Sequence, residues 1–356
     1  MPDPTGSPAH DTSPPNESSG ASPSGSSSST WKRLGWTLAA TAGTAAAISG
    51  LRAIVRNGLA APSTLPPALS APTRTAALPG GGVNYYHRPG TGRPVVLVHS
   101  FNAAASSFEL EPVFNHLAET TSRPIYAVDW LGFGRSDRPA IHYSPDLYRS
   151  HLFTFIRDIV EAPADVVALS LGCEYAASVA LTAAPLIEKV VLINPTGLGP
   201  RRGPSAIGAA MIKAADATGL FELLFYRLTR TASLRDFYER QVFLRADDVP
   251  DALVDYAHLT SHALGAPHAP RRFIEGTLFL DDVATDVYSR LYRPTLVLTP
   301  ADPARTVQRF DQLPDVLESN ARFLQHQPLP GGLLPHWESG APHDQCTEAI
   351  TAFLDD

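Results

Sequence analysis

One serine carries the most specific chemistry in this chain. Ser170 stands in Ala168-Leu-Ser-Leu-Gly172, after the apolar run Val166-Val-Ala-Leu169 and ahead of the small residues Ala176, Ala177 and Ala180. The pattern reads as strand, sharp turn and helix, with the hydroxyl at the turn. A serine presented this way needs strained backbone, and the residues two before and two after it must be small for strand and helix to approach; these are the demands of a nucleophile elbow. The usual form is Gly-x-Ser-x-Gly, and Ala168 takes the first glycine's place. On these five residues alone the alternative is a buried strand end with a serine that caps the next helix.

The surrounding elements are those that could hold such a turn. Arg74 to Leu78 and Val83 to Arg88 read as short strands split by the hairpin signal Gly80-Gly-Gly82. Pro94-Val-Val-Leu-Val98 is a continuous apolar run, as in a strand buried on both faces, and it ends in His99-Ser-Phe-Asn102. Pro112 suits the first turn of a helix whose Val113, Phe114 and Leu117 share a face. Further strands are Ile125 to Val128, Lys189 to Ile193 and Tyr292 to Leu298. Helices are expected from Ser144-Pro145 onward and over the last residues, with Cys346, Ile350, Phe353 and Leu354 on one face. Strands alternating with helices imply a mostly parallel, doubly wound α/β sheet covered on both sides. Between Asn194 and Tyr292 the pattern turns helical, over Leu220–Leu228, Ser233–Val242, Val249–Leu264 and Arg272–Leu280, with Ser233 and Asp236 resembling a capping box. That stretch reads as a helical cap inserted between late strands. Its aromatic residues, Phe221, Phe225, Tyr226, Phe237, Tyr238 and Phe243, serve packing, with a subset available to line a substrate pocket.

Composition sets the outer limits. A chain of 356 residues with 44% hydrophobic and 18% charged residues has material for a sizeable core. A net charge of −7 gives no footprint for nucleic acid. Cys173 and Cys346 have neither metal-ligand spacing nor the numbers for a disulfide framework, and Cys173 reads as a small buried hydrophobe. With no Walker-type loop or dinucleotide fingerprint, neither cofactor nor metal is expected. Residues 1–30 are rich in Ser, Pro, Gly and Thr without Lys or Arg, and read as a disordered tail. Within residues 31–58, Leu34 to Leu51 is uncharged and bounded by Lys32-Arg33 and Arg52, close to the roughly 18–20 residues that span a bilayer. It is read first as a single membrane-anchoring helix. A cleaved signal peptide and a helix lying on the folded body are the alternatives, the last leaving a cytoplasmic protein. Residues 59–73 form a linker, residues 74–197 and 286–356 the core, and residues 198–285 the cap.

Taken together, the chain resembles the α/β-hydrolase fold superfamily, in its capped, serine-nucleophile members. The matching pieces are Val95-Val-Leu-Val-His99 with Ser100-Phe101, Asp129-Trp-Leu-Gly-Phe-Gly-Arg-Ser136, Ala168-Leu-Ser-Leu-Gly172, Pro294 to Pro303, and Pro335-His-Trp-Glu338. They fall in family order over roughly residues 74–356. The resemblance implies that Ser170 attacks an acyl carbon, which a serine hydroxyl does poorly without a general base. It implies an oxyanion hole made by the backbone N–H groups of Leu171 and Phe101, and a triad acid at Asp302, which orients the base. Asp302-Pro303 is also a common helix start. His99-Ser100 stands where His-Gly is usual, and His99 reads as a loop residue rather than a base.

The base is where the chain departs from the family. The usual motif is Gly-His-x-x-x-x-Glu; aligned on Gly332 and Glu338, the histidine position holds Leu333, and His336 follows three residues later. Either the loop is rearranged so that His336 reaches Ser170, which is the preferred reading, or His336 is structural and the usual base is missing. His343 is a distant second candidate, and His258, His262 and His268 lack a metal-binding arrangement. The expected function is thus a serine-dependent ester hydrolase acting on a small molecule with an apolar acyl group. The rival is a non-catalytic protein of the same fold that binds a small molecule or partner. The anchor is checked by fractionation: full-length protein should sediment with membranes and a chain beginning at Pro72 should not, whereas a wholly soluble full-length chain would remove the membrane helix.

Overall fold

The computed structural model describes residues 65–200 and 220–356. All of them lie in the second of two units into which the chain divides. The tail at 1–30 and the apolar stretch Leu34 to Leu51 lie outside the described residues. Among those described, no helix is long and apolar enough to cross a membrane.

Eight strands form one sheet: β1 (Thr73–Leu78), β2 (Gly81–Arg88), β3 (Val95–Val98), β4 (Ile125–Val128), β5 (Ala164–Leu169), β6 (Ile187–Ile193), β7 (Thr295–Pro300) and β8 (Leu324–Leu329). Their order is β1-β2-β4-β3-β5-β6-β7-β8. The pair β1–β2 is the expected hairpin, closing at Leu78 opposite Gly81, and β2 runs antiparallel to β4. From β4 to β8 every pairing is parallel.

Helices cover both faces, and the two-residue period of the strands decides which side chain meets which helix. Val96, Val98, Val166, Ala168, Val190 and Leu192 face α2 (Pro145–Phe155) and α3 (Leu171–Thr182). Val95, Leu97, Val167, Leu169, Val191 and Ile193 face α1 (Glu111–Thr120) and the C-terminal helix. Both β3 and β5 are buried along their whole length, which is why they read as unbroken apolar runs. Ser144 caps α2 by accepting from Leu147 N–H at 3.3 Å, with Pro145 at the first helical position.

Between β6 and β7 the described residues carry α4 (Leu220–Leu228), α5 (Thr231–Phe237), α6 (Asp251–Ser261), α7 (His268–Ile274) and the short α8 (Val283–Asp286). The expected capping box at Ser233 is not formed. α5 begins two residues earlier, after Arg230, so Ser233 lies inside the helix and its hydroxyl donates to Arg227 O. After β7 come α9 (Leu313–Ser319), β8 and α10 (Ala341–Asp355). β8, with the sequence LQHQPL, has no counterpart in the sequence reading. It pairs on one side only, so its middle residues are solvated and polar and give no apolar run.

The chain order reverses around β3: the connection from β3 steps to β4, and the next crosses back to β5. Loops leaving the carboxyl ends of β3 and β5 therefore diverge and leave a crevice between them, the usual place for a ligand in an open α/β sheet. Gly172 sets how closely its walls approach. A Cβ there would lie 2.7 Å from the carbonyl oxygen of His99, which is backbone and cannot swing aside. Gly172→Ala should cost about 1–3 kcal/mol of stability by overpacking, measured as a lower urea midpoint at unchanged slope. An unaffected midpoint would mean that β3 and α3 can part without strain.

Candidate active site

Ser170 sits between β5 and α3 with φ 54° and ψ −121°. For a side chain bearing a Cβ this is a strained backbone, held here from both sides. Ser170 N–H donates to Ile193 O at 2.9 Å, and its carbonyl accepts the Cys173 N–H at 3.0 Å, starting the helix. Cys173 is fully buried, as expected, and its thiol donates to Ala168 O at 3.2 Å.

Leu171 and Phe101 are buried. Among the described residues neither of their N–H groups has an acceptor. At Leu171 this follows from its place in the first turn of α3, where amides have no intrahelical partner. The loop bearing Phe101 is fixed by His99, whose Nδ1–H donates to Ser100 O at 2.7 Å while Nε2 accepts the Trp130 N–H at 3.0 Å. Both ring nitrogens are thus occupied, one within the loop and one by the segment after β4, and burial pushes the imidazole down to about 4. The Asp129–Ser136 run ties this loop to its neighbours. The Asp129 carboxylate accepts from Ser107 N–H at 2.9 Å, Asn84 Nδ2 at 3.0 Å and Arg135 N–H at 2.9 Å.

Ser170 opens into a cavity of about 790 Å³. Phe237, Tyr238, Val242, Phe273 and Phe279 line it from the segment between β6 and β7, and Leu333 and Leu334 line it from the loop after β8. Ser100, Phe101, Asn102 and Glu109 form the wall on the β3 side.

The other residues anticipated from the sequence lie elsewhere. Asp302 is exposed at the end of β7 and makes no cap hydrogen bond. His336 is wholly buried, and its ring meets neither Ser170 nor Asp302. A carbonyl can only accept, so Nε2–H donates to Glu109 O at 2.7 Å, and Nδ1 is left buried without a partner. Burial pushes this imidazole down to about 4. His343 Nδ1–H donates to His336 O at 2.7 Å. The loop that was expected to shift is instead clamped. Gly332 N–H donates to Glu338 Oε1 at 2.6 Å, Leu333 N–H to Val242 O at 2.7 Å, and Asn194 Nδ2 to Leu333 O at 2.9 Å. These bonds hold Leu333 in the cavity wall and leave His336 behind it.

The structure brings forward two residues that the sequence reading passed over. Gln308, in the loop after β7, donates from Nε2 to Ser170 Oγ at 3.1 Å, while its Oε1 is buried without a partner. The signal for it was its place in the same loop as Asp302. Glu109 is almost fully buried, and its carboxyl accepts from Ser100 Oγ at 2.9 Å, Ser100 N–H at 3.0 Å and Asn102 Nδ2 at 2.7 Å. Burial raises its pKa to about 7 against the lowering effect of those bonds. As one carboxylate in a run of ordinary helix formers, Glu109 carried no signal.

The model of the alpha/beta hydrolase family matches residues 95–349, more than half of the chain. The chain belongs to the alpha/beta hydrolase family. Among curated proteins it resembles the 2-hydroxy-6-oxo-6-(2'-aminophenyl)hexa-2,4-dienoic acid hydrolase of Metapseudomonas resinovorans, at 30% identity over 122 residues, 33% of this chain and 41% of that protein. It also resembles the probable lysophospholipase BODYGUARD 5 of Arabidopsis thaliana, at 31% identity over 128 residues, 34% of this chain and 28% of that protein. The match thus spans less than half the length of either relative. Among solved structures, a bromoperoxidase from Bacillus anthracis superposes with a TM-score of 0.62 at 19% identity, covering 80% of this chain and 100% of the other. An esterase from Exiguobacterium antarcticum gives 0.61 at 20%, covering 79% and 99%. At such identities these two structures bear on the fold alone.

The Glu109 carboxyl is a test of the cavity's electrostatics. Its folded pKa lies above the ordinary value of 4.5. The associated stabilisation is fully present below pH 4.5 and is lost as pH rises through about 7. Glu109→Gln removes that titration, so its melting temperature relative to wild type should rise between pH 5 and pH 8. A difference that stays constant across that range would place the carboxyl in contact with water.

Proposed function

We propose that the protein is a serine-dependent acyl hydrolase that takes an ester with an apolar acyl group through an acyl-enzyme on Ser170. One observation carries this reading: a strained, half-buried turn presents the Ser170 hydroxyl to a large cavity, with the N–H groups of Phe101 and Leu171 lacking acceptors among the described residues. Strain of this kind persists where the surroundings enforce it and clusters at reactive sites. Buried donors without acceptors suit a charge that develops only during reaction. The aromatic and aliphatic lining favours an apolar acyl chain. The lysophospholipase and dienoic acid hydrolase names among the relatives bracket the reaction between ester and carbon–carbon cleavage.

In this mechanism Ser170 Oγ bonds to the acyl carbon while the carbonyl electron pair moves onto oxygen, received by the two amides. Collapse expels the alcohol, and water then releases the acid. Gln308 holds Oγ toward the loop after β7, and Asp302 and His336, as placed, lie outside this exchange. The second reading, a binding protein without turnover, is favoured by Leu333 at the usual base position and by the amide of Gln308 on the hydroxyl.

A fluorophosphonate separates the two. The hydrolase should label once per chain, at Ser170, and Ser170→Ala should not label. Among p-nitrophenyl esters, kcat/KM should rise with acyl length from acetate toward octanoate. Absence of labelling, together with tight binding of the free fatty acid, would establish the binding protein instead.

A further inference from the structure

If Leu333 stands where a base is expected, some other group must move the proton. Among the described residues five carboxyls line the cavity, and they differ in their surroundings; Asp281 and Asp282 are exposed. Glu275 pairs with Arg271 and Arg272. Glu174 accepts from Thr196 Oγ1 at 2.5 Å and from Leu280 N–H at 2.8 Å, neither of them in the oxyanion loop. Glu109 is the one held by that loop: its carboxyl receives both the N–H and the hydroxyl of Ser100, the residue next to Phe101. Its carbonyl in turn receives His336 Nε2–H and Trp337 Nε1–H, the latter at 2.8 Å. Its position is therefore fixed from both ends.

We propose, resting on the acyl-hydrolase reading above, that Glu109 is the proton-transfer group of this cavity and does the work of the absent imidazole through one bridging water. As the Ser170 Oγ–carbon bond forms, the hydroxyl proton passes through the water to the Glu109 carboxylate. Neutral Glu109 returns that proton to the departing alkoxide as the carbon–oxygen bond of the ester breaks. In the second half the Glu109 carboxylate takes a proton from the attacking water, and neutral Glu109 returns that proton to Ser170 Oγ as the bond from Oγ to the acyl carbon breaks and the acid leaves. Glu109 and the oxyanion together carry one negative charge throughout, first on Glu109 and then on the oxyanion, so this carboxylate does not oppose the charge that the amides of Phe101 and Leu171 receive. A carboxyl titrating near pH 7 is matched to this task at neutral pH.

The experiment follows p-nitrophenol release and acylation of the full-length protein by p-nitrophenyl butyrate from pH 5 to pH 9, for wild type, Ser170→Ala, Glu109→Gln and Glu109→Asp. Wild-type acylation should rise about tenfold per pH unit at the acid end and level off near pH 7. Glu109→Gln should be slower by about 100- to 10,000-fold and flat with pH, while Glu109→Asp should recover part of the rate and the slope. A wild-type profile flat between pH 5.5 and 8.5 would overturn the assignment even if Glu109→Gln failed to fold. So would a folded Glu109→Gln with the wild-type rate and slope, provided Ser170→Ala is inert; Ser170 would then stand as nucleophile without Glu109. A wild type that is never acylated removes both readings.

Discussion

The approach of α3 to the end of β3 is the contact on which the site depends. Gly172 has no Cβ, and the backbone of His99 occupies the space that one would fill. This sets the elbow against the loop that follows β3. Ala168 and the alanines of α3 make the same approach possible on the sheet side, where Ala168, Ala176, Ala177 and Ala180 are all buried. The strain at Ser170 is offset by bonds to β6 and into α3, so the hydroxyl is presented by rigid elements.

Glu109 joins two parts of the site. Its carboxyl fixes the Ser100–Asn102 loop, and its carbonyl receives the side chains of His336 and Trp337 from the loop after β8. Among the described residues the Glu109 carboxyl meets hydrogen-bond donors and no cation, so it sits at a balance between desolvation and hydrogen bonding that raises its pKa to about 7. The adjacent imidazoles, His99 and His336, are driven the other way by the same burial and stay neutral at pH 7.

Much of this was legible from residue patterns. β3 and β5 are buried on both faces, so their sequences run apolar without interruption. The hairpin glycines, Pro145 behind Ser144, and the small residues around Ser170 each carry a local steric reason that holds before any tertiary contact forms. β8 was illegible because an edge strand that is wet on its outer side has no apolar period. The start of α5 was misplaced because a serine and an aspartate at capping-box spacing fit a helix interior as well as its end.

The sequence by itself pointed to a turn at Ser170, which its small neighbours permit and the order of the other motifs supports, and it determined that the position after Gly332 lacks an imidazole. It could not tell whether His336 compensates. In the folded chain His336 donates to Glu109 O, and its loop is held by a bond within it, from Gly332 to Glu338, and by two between distant segments, from Leu333 to Val242 and from Asn194 to Leu333. Tertiary structure alone also set Gln308 on Ser170 and Glu109 on Ser100, since the partners of a polar side chain are decided by what is folded against it.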